Sequence, residues 1–352
     1  MTWNVASLYP NTGNEMKVFN KLSAMDIKPD MIFLQEVKLS GNSAITKRDA
    51  LGSVQTEFAK LGYEFHYQSP EATDKIYDCA IAVRKGGPLS GGAITQIKGR
   101  EFPDPESRFV VYERFGELFI SVRTKKKERG DLDAQLLKFI NNNNVVVIAG
   151  DFNNTRVEGL DCGELFTGNA YVDTRKRFEN LLNVTPLIDL FRDQNPEVTR
   201  FSSFQKHLGK ESDGRVDYIL IREDLTKSAT CNIAEKNDYI IEDSSSSNPR
   251  EHCVFDHVPV FATLRPTLMA KENEEASLSS SSSSSSKAEN DEGDSSSSSR
   301  YSPSNEKQAE ENGKRKLGDI NGGSSSISSG SDGGEKGSSS ISSGRADDPI
   351  VL

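Results

Sequence analysis

What the sequence lacks narrows it first. Its 352 residues include four cysteines, Cys79, Cys162, Cys231 and Cys253, and none of them falls in a CxxC spacing. That excludes a disulfide scaffold and a paired-thiolate zinc site, and it suits a reducing compartment. No run approaches the ~18 apolar residues of a membrane span, and no signal-peptide pattern opens the chain. Secretion and a membrane partner are therefore not expected. Positive charge is short as well: 43 Lys and Arg face 53 Asp and Glu, for a net charge of −10. Phosphate-backbone contacts draw on basic surface, so this balance weighs against nucleic acid unless a local basic patch exists. An acidic metal site would account for part of the deficit.

Large apolar residues are scarce from about residue 272 onward, where Ser runs alternate with Gly, Asp, Glu and Lys. Such a segment cannot bury enough surface to offset its ordering entropy. We expect residues 1–267 to form one folded domain and 268–352 a disordered, Ser-rich acidic tail. The tail holds nine Lys and Arg against fifteen Asp and Glu, leaving 34 against 38 for the domain. Its one basic triplet, Lys314-Arg315-Lys316, reads as a solvated run rather than a nuclear signal. The first strand begins at Met1, from which we expect an upstream segment, including any targeting signal, to be missing.

What is present alternates strand and helix. Apolar patterning predicts strands over 1–5, 31–34, 63–67, 79–83, 145–149, 216–221 and 258–264, and a hairpin of 109–115 with 117–122 about Gly116. Helices are predicted over 15–25, 46–61, 131–140 and 175–182, the first with Met16, Val18, Phe19, Leu22 and Met25 at helical spacing. His66 falls in a strand and reads as structural, while His207 falls in a Lys/Gly loop and His252 near a rim. Hairpins mixed with helices favour two packed sheets flanked by helices over a doubly wound parallel sheet.

The run VVVIAGDFN at 145–153 is the chain's clearest chemical signal. A buried strand ends in Gly150, then Asp151 and Asn153 stand two apart, on one face if the backbone stays extended. By itself this is as well explained by an Asp/Asn turn. The same pattern recurs, however, at Asn4, Glu36, Asp217 and Asp256-His257. Together these strand ends supply four carboxylates, two amides and an imidazole. Oxygen ligands suit a hard cation, and Glu36 with Asp256 would serve one. An imidazole oriented by a second carboxylate suits a phosphate.

TWN at 2–4, MIFLQE at 31–36, GDFN at 150–153, RVDYIL at 215–220 and DHVPV at 256–260 resemble the ordered motifs of the endonuclease/exonuclease/phosphatase superfamily. KPDMIFLQEVKL, YDCAIAVRKGGPL and TRKRFENLLNVTPLIDLFRDQNPE are most similar to exonuclease III-type apurinic/apyrimidinic endonucleases. The resemblance covers about 1–266 and implies a four-layer α/β/β/α sandwich with its site at one mouth between the sheets. It implies Glu36 as principal Mg²⁺ ligand (Mn²⁺ as a substitute), Asp256 as a second-metal ligand and Asn4 as orienter of the first. Asp151 would be the general base, Asn153 a donor to the transition state, and His257, held by Asp217, the phosphate contact.

The departures point to the substrate. Ala6 stands where the family carries an acid or amide. Arg123-Thr124-Lys125-Lys126-Lys127 replaces a Tyr-containing segment, so Arg123 and Lys125 become candidate phosphate contacts. Phe201-Ser202-Ser203-Phe204 replaces an aromatic segment, with Phe204 a candidate for an abasic pocket and a better one for core packing. The expected activity is Mg²⁺-dependent DNA hydrolysis 5′ to abasic sites in base excision repair, by a monomer in the nucleus or another DNA-containing compartment. Alternatives are a retroelement-type or non-specific nuclease, a phosphoinositide or phospholipid phosphoesterase, and a catalytically weakened binding protein.

Overall fold

The computed structural model describes residues 1–6, 8, 14–37, 44–67, 79–95, 108–124, 130–163, 169–207, 210–240, 256–265 and 350–352. In chain order the first elements are β1 (Thr2–Asn4), α1 (Asn14–Ala24), β2 (Met31–Gln35), α2 (Ala44–Lys60), β3 (Tyr63–Tyr67) and β4 (Ala80–Arg84). Then follow β5 (Ala93–Ile94), β6 (Phe109–Arg114), β7 (Glu117–Arg123), α3 (Gly130–Asn142), β8 (Val145–Asp151), α4 (Asn169–Val184), β9 (Leu187–Asp189) and α5 (Leu190–Gln194). The last are β10 (Ser203–His207), β11 (Lys210–Gly214), β12 (Asp217–Arg222), β13 (Ala229–Ile233), α6 (Lys236–Tyr239), β14 (Val260–Leu264) and β15 (Ile350–Val351). Among the described residues no helix is long and apolar enough to cross a membrane.

Two sheets carry the architecture. One runs β13-β14-β1-β2-β4-β3 and the other β5-β6-β7-β8-β12-β9. Each has one parallel pair at its centre, β1 with β2 and β7 with β8, flanked by antiparallel strands. Strand period decides what each face meets. Met31 and Phe33 point into the core between the sheets with Ile81, Phe119, Val147, Ala149 and Ile219, while Ile32 and Leu34 point outward. The outward face of the first sheet packs on Val18, Phe19 and Leu22 of α1 and Val54 and Phe58 of α2. Phe58 alone, stacked on Phe65 at 4.9 Å, is fully buried, and burying one such ring contributes about 1.5–3 kcal/mol. On the far side Ile120, Val122 and Ile148 meet Leu136 and Ile140 of α3 and Phe178 and Leu181 of α4. The order of layers is helix, sheet, sheet, helix, as the sandwich expectation has it.

Several details depart from the sequence reading. Met16 is 52% exposed, so the buried stripe of α1 is narrower than its apolar spacing implied. The pairing of β7 with β8 shifts between Leu118 and Phe119, so Val146 and Val147 both face the central core. That β-bulge is invisible in an all-apolar run. His207 lies in β10 and not in a loop, because the polar segments 203–207 and 210–214 pair with each other. His66 does lie in β3, its ring 5.0 Å from Tyr112. His252 and residues 266–349 lie outside the described residues.

The last three residues contradict the expectation that everything beyond 267 is tail. Chain contacts group residues 1–273 with 342–352 in one compact unit, and Ile350 and Leu352 are buried in the central core. Val351 pairs with Thr263 and Ile350 with Leu264, while Leu352 exchanges both main-chain hydrogen bonds with Ala262 at 2.6 and 2.7 Å. Asp30 accepts from the Val351 N–H through its carboxylate at 2.9 Å and donates its own N–H to the Val351 carbonyl. A composition rule averages over a window, so it passes over a short apolar segment at the end of a polar one. Ile350→Asp places a charge in this core. We expect thermal unfolding to move down by roughly 2–4 °C per kcal/mol lost, and a melting curve matching the wild type would show that the segment contributes nothing.

A second frame lies beneath the opening of the sandwich. Arg215 is wholly buried (0% exposed), its guanidinium forked onto Asp161 (2.8 and 2.8 Å) and Asp189 (2.9 and 2.7 Å) and lying 4.4 Å over the Tyr218 ring. Arg192 donates to Asp161 and Arg156 to Asp189, so charges alternate along the row. Asp189 also caps α5. Removing one member of a buried ionic row leaves the others unpaired, at a cost of about 3–5 kcal/mol. Arg215→Ala should lose that much in a urea titration, whereas a loss under about 1 kcal/mol would mean that Arg192 and Arg156 suffice.

Candidate active site

The site stands where β1, β2 and β8 end and β12 begins, beside the segment that precedes β14. Asn4 closes β1, and its side-chain NH₂ donates at 3.1 Å to Glu36 after β2 and at 3.1 Å to Asp151 at the end of β8. One amide therefore links the two sheets. Directly beneath it, Gln35 donates to Ser121 (3.1 Å), Ser121 to the Leu34 carbonyl (3.1 Å), and Thr2 to Gln35 (3.1 Å), a buried polar chain across the interface.

Backbone strain concentrates here. Among the described residues, those other than glycine with positive φ are Ala6 (57°), Glu36 (55°), Phe115 (55°) and Asn153 (48°), and all but Phe115 belong to the site or its rim. The left-handed region costs roughly 1–2 kcal/mol for an L-residue, and such costs collect at functional sites. At Ala6 the N–H donates back to Asn4 Oδ1 at 3.1 Å. An Asn or Asp tolerates that conformation better than Ala, so the missing polar residue is a loss to the backbone as well as to the site. Asn153 departs from the extended geometry expected of it. It turns left-handed, and its main-chain N–H (2.7 Å) and side-chain amide (2.9 Å) both close onto Asp151. Asp151 and Asn153 still meet, by a tight turn instead of strand alternation.

Asp217 and Asp151 are direct cross-strand partners. Ser202 Oγ accepts from the N–H groups of Val216 and Asp217 at 3.1 and 3.0 Å, fixing the start of β12. Asp217 Oδ2 then lies 2.7 Å from His257 Nδ1, which leaves Nε2 to face the opening. The His257 carbonyl is held by Trp3 at 3.2 Å. Asp256, 36% exposed, stands 3.9 Å from His257 Nε2. Burial would lower the His257 imidazolium, but Asp217 and Asp256 outweigh it and raise the pKa to about 10. Burial pushes the Asp151 carboxyl up to about 6, helped by Asp217 and opposed by His257 and Arg123. At neutral pH the arrangement is thus an ionised, poorly solvated carboxylate beside a charged imidazole.

The candidates named for substrate occupy different places. Arg123, at the end of β7 and in register with Asp151, donates to Glu36 Oε1 at 2.5 Å and approaches Asp151 Oδ2 at 3.8 Å. Phe204 packs on the central core with the Lys236 ammonium 4.8 Å over its ring. Lys125 lies outside the described residues.

The sequence pattern of the Endonuclease/Exonuclease/phosphatase family matches residues 1–243. The chain belongs to this family. Solved structures of low identity share the fold. A 3′ phosphatase from Neisseria bound to a product DNA hairpin has 22% identity and a TM-score of 0.52, over 74% of this chain and 96% of that one. An AP endonuclease from Leishmania major has 18% identity and a TM-score of 0.53, over 74% and 85%. An AP endonuclease from Archaeoglobus fulgidus has 17% identity and a TM-score of 0.50, over 74% and 96%. Among curated proteins, none matches the sequence significantly.

The family's nucleases work with divalent metal, so the donors need testing against one. Among the described residues no three His, Cys, Asp or Glu side chains converge as a preformed cage. Mg²⁺ needs none, since one or two carboxylates with water and substrate phosphate satisfy it. Glu36 and Asp151, joined through Asn4, offer such oxygens, so the chemistry of the site fits.

Sequence reasoning passed over Ser202, Asp161 and Asp189, which orient the site from behind. Arg215 stood inside a quoted motif, yet nothing in its spacing pointed to two buried acids. Gly150 has a steric reason to be glycine: a Cβ there would stand 1.9 Å from the Val122 carbonyl oxygen. Gly150→Ala must therefore push β8 from β7 next to Asp151. Overpacking of this kind costs about 1–3 kcal/mol, and chemical denaturation unchanged from wild type would contradict the contact.

Proposed function

We propose that this chain is a divalent-metal-dependent phosphodiesterase that cleaves DNA 5′ to abasic sites, as a monomer, in base excision repair. One observation carries the proposal: Asn4, Glu36, Asp151, Asn153, Asp217 and His257, drawn from both sheets, meet at one mouth. The family, and the fold shared with AP endonucleases and with a DNA-bound 3′ phosphatase, support DNA as the substrate class. The nucleus or another DNA-containing compartment follows from that substrate, and catalysis is assigned to 1–267.

In-line attack on a phosphodiester requires a base for water, donors for developing charge and help for the leaving oxygen. Asp151 takes the proton from water: its carboxyl is ionised above about pH 6 yet basic enough to accept one. Asn153 gives one side-chain N–H to the Thr124 carbonyl (2.7 Å) and the other to Asp151 (2.9 Å), and it donates to the phosphate once the bond to Asp151 opens on substrate binding. His257 presents Nε2–H to a non-bridging phosphate oxygen, and Asp217 stabilises the imidazolium by accepting from Nδ1. Glu36 and Asn4 would hold a Mg²⁺, which when bound supplies Lewis acidity toward the phosphate.

The test is cleavage of a labelled duplex carrying one abasic analogue, with Mg²⁺, beside an undamaged duplex, a 3′-phosphate end and an inositol polyphosphate. Glu36→Gln, Asp151→Asn and His257→Ala should each slow abasic cleavage by roughly 10²-fold or more. Folded variants that cut as fast as wild type, or a preference for one of the other substrates, would overturn the assignment.

A further inference from the structure

Arg123 is a cation set between carboxylates of both sheets at the mouth. It reaches Glu36, of the first sheet, at 2.5 Å and Asp151, of the second, at 3.8 Å. These are the two groups that Asn4 bridges from the other side. A guanidinium cannot shed its charge to leave such a place, and here it is nearly enclosed, 12% exposed. The Glu36 oxygen it holds is also the oxygen that accepts from Asn4. Glu36 reaches it through a left-handed backbone, so the fold spends strain to present this carboxylate and then covers it with its own cation. An ordinary surface ion pair has neither the burial nor a partner held in that conformation.

We infer that Arg123 is an internal counter-ion that stands in the position of a divalent cation and competes with it for Glu36. The inference rests on the proposed metal-dependent reading of the same mouth. Arg123 is on these terms a positioning residue: with no metal it keeps Glu36 and Asp151 together, and metal enters only as the guanidinium gives up the Glu36 oxygen.

The experiment is Mn²⁺ titration of the full chain by calorimetry and by electron paramagnetic resonance, with no nucleic acid present. Arg123→Gln should bind Mn²⁺ at least tenfold tighter than wild type, and the double variant Arg123→Gln/Glu36→Gln should lose that gain. Equal or weaker binding by a folded Arg123→Gln overturns the inference. If that variant fails to fold, the wild type decides: the Arg123 Nε–H resonance should shift as Mg²⁺ is added, and a resonance unmoved at saturation overturns it equally. Tighter Mn²⁺ binding by Arg123→Gln beside a wild type that cleaves no abasic duplex would defeat the proposed function and leave this inference standing.

Discussion

The amide of Asn4 is the point on which the site depends. Its NH₂ has two protons, and they go to carboxylates on different sheets, Glu36 and Asp151. Neither acid is brought near the other by sequence or by a shared strand. What sets their separation is the relative position of two sheets, and that is fixed one layer down by Gln35, Ser121 and Thr2. Buried polar chains tolerate little displacement, because each unmet donor costs about 1–3 kcal/mol. The core between the sheets is apolar and non-directional, so it holds them together without specifying their register. The hydrogen-bonded edge specifies it.

A second rigid body acts from behind. Arg215 lies two residues before Asp217 and joins the segment after β8, through Asp161, to the start of α5, through Asp189. Both segments lead into the mouth. Ser202 continues the restraint by accepting from Val216 and Asp217, while its carbonyl accepts from Val258, next to His257. The Asp217–His257 pair is therefore braced by main-chain bonds on both of its members. Such bracing is what keeps an imidazole oriented while its charge changes.

The layered architecture was legible because period-2 and period-3.6 patterns are determined by what each face touches, and the faces of β2, β7, α1 and α3 touch bulk apolar layers. Asn4, Glu36, Asp151, Asn153, Asp217 and His257 were legible because polar groups at the ends of buried strands break that pattern. The hairpin β10–β11 was not, since its polar strands pair with each other and bury little. Nor was β15, two residues set off by a long polar segment. The turn at Asn153 escaped for a different reason. An i, i+2 pair reads as one strand face only while the backbone remains extended, and φ of 48° ends that assumption. Ion pairs such as Arg215 with Asp161 and Asp189 join positions far apart in the chain, and no local rule encodes them.

The charge at the mouth ties these strands of reasoning together. Glu36, Asp151, Asp217 and Asp256 bring four negative charges, while Arg123 and a protonated His257 return two. A low-dielectric cleft does not hold a surplus of two negative charges and then admit a phosphodiester without further cation. Burial has already responded at Asp151, whose carboxyl is raised toward neutrality. Where the resemblance sets a tyrosine-containing segment, this chain has Arg123, whose fixed positive charge sits on the carboxylate proposed for a metal. Such a substitution shifts the balance of the cleft by one full unit without moving any strand. It leaves the fold of the family intact and alters the term that decides when the site is charged for catalysis.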